Sequence, residues 1–189
     1  MARLALISMG AAVMVAALGG PAAWAAEVAS PVVDTSFVNA DGTRTLQKTI
    51  VVQASRAAVW QAFTDADSYR QWAAPVAFID LRLGGTIEVS YDPEDKAGDP
   101  NNVKAEILSY LPGEMISFRN VQAVVVPHAE IYHQLAIVLT LKDVGGGRTE
   151  VSLADVGFGT APGTDELYGF FDAHNPEYLE EMKAFVEKR

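Results

Sequence analysis

The sequence predicts an α+β domain, a curved antiparallel sheet closed by one long C-terminal helix, and three observations predict it. Short segments of period-two alternation, bounded by Gly, Pro and Asp, begin at Thr43 and recur through residue 159. After the first of them, "ASRAAVWQAFTDADSYRQW" (54–72) carries apolar residues at helical spacing. Beyond the last, the period changes: Tyr178, Leu179, Met182, Phe185 and Val186 share one helical stripe, with Glu180, Glu181, Lys183 and Glu187 off it. The resulting order, β-α-α-β-β-β-β-β-β-α, leaves a sheet whose apolar face the last helix has to cover.

The elements follow in chain order. "MARLALISMGAAVMVAALGGPAAWA" has a cation at Arg3, an apolar run from Leu4 to Leu18, a Gly19-Gly20-Pro21 breaker and the small-x-small Ala23-Trp24-Ala25. This is the form of a secretory signal peptide over 1–25, cut after Ala25, and the run is short for a membrane anchor. Residues 26–42 read as a leader segment in which Val32, Val33 and Phe37 add edge contacts, and the folded domain runs 43–189. "TRTLQKTIVVQ" is the first strand, with Leu46, Lys48, Ile50 and Val52 on one face. Ser55 caps a helix carrying Val59, Trp60 and Phe63, and Thr64 to Trp72 forms a second, before Pro75 returns the chain to extended geometry.

"VAFIDLRL" up to Gly84-Gly85 and "TIEVSY" are the next strands, followed by an acidic solvent loop over 92–102. "VKAEILSY", a Pro112-Gly113 turn and "EMISFR" make a hairpin. Pro127 splits the long apolar segment 121–141, which puts the next strand at 129–142, and Gly145 to Gly147 turn the chain into "RTEVSLADVGFG". Pro176 suits the first turn of the closing helix, so Leu167 to His174 is either its kinked beginning or a separate turn.

Composition removes whole classes of function. There is no cysteine, so disulfides, thiolate chemistry and a lipidated N-terminal cysteine are excluded, and the domain is held by its core. A net charge of −10 argues against nucleic acid and anionic lipid as partners. With the leader removed, no segment remains for stable membrane insertion, and the pattern places the chain in the periplasm or outside the cell.

The ordering of these segments, with "ASRAAVWQAF", Tyr69-x-x-Trp72 leading to Pro75, Asp80-Leu-Arg-Leu-Gly-Gly85, "VSLADVGFG" and the terminal "YLEEMKAFVEK", resembles the START-like (SRPBCC) helix-grip superfamily. Within it the chain is most similar to the branch of the activator of Hsp90 ATPase homologue 1, related to polyketide cyclase-like proteins. The resemblance implies a strongly bent antiparallel sheet gripping the C-terminal helix around a cavity in which apolar or amphipathic small molecules bind. Export sets this chain apart from a cytosolic activator of Hsp90. The apolar 121–134 segment is either a flap over the cavity mouth or an unusual edge.

Several residues compete for functional roles. Trp60, Tyr69 and Trp72 are core aromatics on one reading; on the other, Tyr69 and Trp72 line the cavity entrance. Asp80 and Arg82, one residue apart, share a strand face, as a solvated pair locking the Gly84-Gly85 turn or as an interior clamp. His128, His133 and His174 lack the helical spacing of a zinc hydrolase, and no metal or cofactor is expected. On a regular strand Glu130, Tyr132 and Gln134 oppose Ile131, His133 and Leu135. If the first face looks inward, Glu130 is a general base with Tyr132 or His174 donating a proton. The second face is richer in branched apolar residues and is favoured as the interior, with His133 its polar member. No nucleophile elbow and no phosphate-cradling glycine loop is present.

The expected function is an exported small-molecule binding protein that holds an apolar or lipid-like ligand between sheet and helix. Tyr69, Trp72, Phe78, Phe118, His133, Tyr178 and Met182 are its expected ligand-binding residues. A cyclase- or hydrolase-like enzyme in the same cavity, which requires an interior carboxylate or histidine, is the alternative. A module that binds another exported protein is a third reading.

Overall fold

The first long strand of the sheet pairs with the last, so segments from the two halves of the chain lie side by side in it. The computed structural model describes residues 31–123 and 126–188; the predicted signal peptide lies outside the described residues. β1 (Val33–Asp34) and β2 (Phe37–Val38) lie along one edge of β3 (Arg44–Val52). The remaining strands are β4 (Val76–Ile79), β5 (Thr86–Ser90), β6 (Val103–Leu111), β7 (Met115–Gln122), β8 (Ala136–Gly145) and β9 (Arg148–Phe158). Among the described residues they form one antiparallel sheet of nine strands in the order β1-β3-β9-β8-β7-β6-β5-β4, with β2 also on β3. Register shifts after Arg44, Lys104, Ile107 and Asp143 insert extra residues, and such bulges bend a sheet.

α1 (Arg56–Thr64) begins as the sequence predicts. The Ser55 hydroxyl accepts the Ala58 N–H at 3.2 Å, and Val59, Ala62 and Phe63 are buried. Ser55→Ala is expected to cost about 1 kcal/mol, read as a lower denaturant midpoint at unchanged m-value. The second helix is shorter than predicted. Asp65 leaves helical geometry (φ −99°, ψ 121°), its carboxylate caps Ser68 N–H at 2.8 Å, and α2 spans Ala66–Tyr69 only, with 70–73 as turns.

Two predicted strands are corrected. β4 ends at Ile79, because Asp80 to Gly85 closes a tight turn in which Asp80 and Arg82 form an exposed ion pair at 2.7 Å rather than sharing a strand face. The strand predicted at 129–142 starts at Ala136. His128 sits in the left-handed region (φ 51°), and its carbonyl accepts from Ile131 N and Tyr132 N, so Ala129–Tyr132 is a helical turn, α3. Period-two reasoning therefore does not apply to Glu130 and Tyr132. The 92–102 loop is mostly exposed but is pinned from below, where the buried Glu88 carboxylate accepts from Gly98 N (2.7 Å) and Asn102 Nδ2 (2.6 Å).

α4 (Thr164–Val186) is one continuous helix with Pro176 inside it, so Leu167 to His174 is its first half and not a separate turn. Leu179, Met182 and Val186 face the sheet and pack with Ile50, Val52 and Leu139. A second cluster, Leu46, Leu135, Phe158 and Leu167, holds the other end of the helix. Its N-cap, Gly163, has φ 88°, and a Cβ there would meet the His128 ring at 2.5 Å, so both backbone and packing require glycine. Lys48, only 5% exposed, reaches from β3 to Asp172 of α4 (2.5 Å) and Asp34 of β1 (3.0 Å), which ties helix, sheet and leader together.

Candidate functional site

Strand alternation aims one side chain in two at α4. Across the middle of the sheet Leu46, Asp155, Ile137, Phe118 and Ile107 oppose one another in a single cross-strand row, and Leu153, Leu139 and Ile116 form a parallel one. The helix packs tightly on the β3 end of these rows and stands away from the β5–β7 end. The result is a cavity of about 400 Å³, lined by β5 to β9 and α4 together with Phe63, Tyr69 and Tyr132. That volume suits a drug-sized or lipid-fragment ligand, and most of the wall is apolar.

The polar groups on this wall are few. Tyr69 and Tyr178 share a hydrogen bond between their hydroxyls at 3.0 Å; burial pushes both phenols up, so each stays a neutral donor and acceptor. Tyr132 is likewise pushed up by burial and by the Asp155 charge, with the Asn120 side chain pulling the other way. Asp155 is 3% exposed, and Asn175 Nδ2 donates to its Oδ2 at 2.7 Å. Burial pushes its carboxyl up to about 6, with the Asn175 hydrogen bond pulling the other way. The exposed His174, also on the wall, stacks on Phe170 (4.3 Å), and its Nδ1 donates to the Phe170 carbonyl at 2.6 Å.

Of the seven residues singled out from sequence, the structure brings Tyr69, Phe118 and Tyr178 to the cavity wall. Trp72 stands behind it: its indole N–H donates to the Ala62 carbonyl at 3.0 Å, and its ring packs on Phe63, Tyr69 and Tyr178. Met182 is fully buried in the packed core, and Phe78, 41% exposed, borders a shallow hollow on the far side of β4. His133 ends the α3 turn half-buried, with Nε2 enclosed and without a hydrogen-bond partner among the described residues. Glu130 is exposed beside His128 (3.7 Å), which removes it from any interior chemistry.

Sequence reasoning missed Asp155 and Asn175, although a signal existed for both. Asp155 continues the inward alternation Val151, Leu153, Asp155 of "VSLADVGFG", and Asn175 precedes Leu179, Met182 and Val186 on the same helical stripe. Among the described residues no group of three His, Cys, Asp or Glu is placed to hold a metal ion, and no helix is long and apolar enough to cross a membrane.

Comparison with known proteins agrees with this architecture. The family described as Activator of Hsp90 ATPase homolog 1-like protein matches residues 53–187. The solution structure of the Aha1 dimer from Colwellia psychrerythraea is similar at 17% identity and TM-score 0.58, over 76% of this chain and 96% of that one. Protein MLL2253 from Mesorhizobium loti is similar at 18% identity and TM-score 0.61, over 77% and 98% of the two chains. CalU16 from Micromonospora echinospora, also 18% identical, has TM-score 0.59 over 82% and 85%. No curated protein sequence matches. At these identities the likeness is one of fold, the α+β helix-grip fold expected from the sequence.

Proposed function

Since the chain belongs to the Activator of Hsp90 ATPase homolog 1-like family, we propose that it uses the helix-grip cavity as a binding site for an apolar or lipid-like small molecule and acts in an exported form. The observation that carries this reading is the cavity itself, about 400 Å³ between sheet and helix, partly open to solvent and walled mostly by apolar side chains. Protein interiors are close-packed, and an apolar ligand in this cavity would displace water from its walls and make the dispersion contacts they lack. The family fold serves either a ligand-binding or an Hsp90-activator-like module, and the open interior supports the first for this chain. Residues 1–25 support export, which would separate the chain from a cytosolic chaperone.

Native mass spectrometry of the chain purified from its own host tests the whole proposal. The expected result is a protein beginning at Ala26 with a stoichiometric apolar compound that denaturing extraction releases. Ala105→Phe, which fills the cavity wall on β6, is expected to purify folded and empty. Retention of the same compound by Ala105→Phe would place the ligand elsewhere and sink the cavity reading. A chain that keeps residues 1–25 would sink the export.

A cyclase- or hydrolase-like enzyme is the second reading, and Asp155 is the observation that favours it. An interior carboxylate titrating at about 6 can accept and return a proton near neutral pH. Turnover of the extracted compound by the wild type and not by Asp155→Asn would support it.

A further inference from the structure

Asp155 is the only carboxylate on the cavity wall among the described residues, and the wall's one basic side chain, His174, is exposed and spends its Nδ1 on the Phe170 carbonyl. The Asp155 Oδ2 is held by the uncharged Asn175 amide, and no ion pair reaches it among the described residues. Lys48, on the neighbouring strand and the same inward face, is committed to Asp34 and Asp172. A buried carboxylate without a counter-charge is expensive, and a core that needed only packing would carry a leucine there, as it does at Leu46 and Leu153.

The surroundings decide the sign of what would complete it. A ligand carboxylate would be repelled by Asp155, and a plain hydrocarbon would leave it desolvated. An ammonium group offers both charge and N–H donors, in a site where charge-assisted hydrogen bonds are strong. The rings of Tyr132 and Phe171, 4.7 Å apart between centroids, add electron-rich faces to the same cavity. Tyr91 on the same wall feels the charge of Glu181, whose own carboxyl is pushed up by burial and by Glu177. A net charge of −10 favours approach of a cation over long range.

We infer that the occupant of the cavity is an apolar amine, its ammonium seated on Asp155 beside Asn175 and its hydrocarbon against Phe118, Ile137 and Leu139. This rests on the reading that the cavity holds a small molecule, and it adds the chemical class of that molecule. Three probes of one shape separate the two claims: naphthylmethylamine, naphthylmethanol and naphthoic acid, titrated calorimetrically at about pH 7.5 into the wild-type chain and into Asp155→Asn, with Ala105→Phe as the blocked control. The expected order is amine, then alcohol, then acid. The amine binds at least about tenfold tighter than the alcohol, and that gap closes to within about twofold in Asp155→Asn. Equal affinity of amine and alcohol in the wild type, or a preference that survives Asp155→Asn, overturns the amine anchor and leaves the cavity reading standing. Failure of all three probes to bind the wild type, or equal binding by Ala105→Phe, overturns both.

Discussion

Asp155→Asn is expected to make the folded chain more stable at about pH 7.5, by up to roughly 3 kcal/mol, and to leave it nearly unchanged near pH 3.5. The sign follows from the direction of the shift. Burial raises the Asp155 carboxyl from 3.8 to about 6, so between those values the folded state binds a proton that the unfolded state does not. Stability carried by this group is therefore fully present below about pH 3.8 and declines until pH passes about 6. Asparagine keeps the shape and still accepts from Asn175, but it does not titrate. The lowered carboxylates act in the opposite sense. Hydrogen bonds from Ser36 hold Asp34 at about 2, and that contribution is lost as pH falls below the ordinary carboxylate range. Asp34 is unchanged in both proteins and cancels in their difference. Urea midpoints of wild type and Asp155→Asn, measured from pH 3.5 to 7.5, read the prediction directly. A gap that does not grow with pH would show that Asp155 is ionised at no cost in the fold, and would remove the electrostatic reason for a cationic ligand.

Gly85→Ala is expected to destabilise the fold by about 3 kcal/mol or more, lowering Tm by roughly 10 °C. The reason is space rather than backbone angle. A Cβ on Gly85 would stand 2.0 Å from the Asp80 carbonyl oxygen and 2.9 Å from that of Arg82. Neither carbonyl is free to yield, because Arg82 N donates to Asp80 O and Gly85 N to Arg82 O, both at 2.9 Å. The turn is further fastened to β6, where Ile107 N donates to Gly85 O at 2.8 Å and Gly84 N to Ile107 O at 2.9 Å. Gly113→Ala is the control: its φ of 75° disfavours alanine, but nothing lies within 4 Å, so about 1 kcal/mol is expected. Equal losses at the two sites in thermal or urea unfolding would show that crowding at Gly85 is relieved by a shift of the turn.

The "DLRLGG" stretch shows how far local reading reaches. Its residues mark a structural turn, but period two carried the strand through Asp80 and Arg82, where the hydrogen bonds of the turn interrupt it. The same limit appears at 129–142. Pro127 announces a break, yet the left-handed His128 that starts a helical turn is stabilised by its contact with Gly163 and by its hydrogen bond to Glu166 (2.9 Å), residues more than thirty positions away. On α4 the apolar stripe alone identified the side that meets the sheet, while the position of Pro176 was a misleading guide to where the helix begins.

What the sequence by itself determined is what depends on neighbours along the chain: the order of the long elements, the Ser55 cap, the inward face of β3, the buried stripe of α4 and the α+β class. These are set by spacings of two, three and four residues, and spacing can be read directly. Only the tertiary structure decided which inward side chains pack and which face open space. Met182 and Phe118 both point inward, but one is sealed in the core and the other borders the cavity. The difference lies in the curvature of the sheet and its separation from the helix, a residual volume that no local pattern records. The meeting of Asp155 with Asn175, one on the last strand and the other on the closing helix, was decided in the same way.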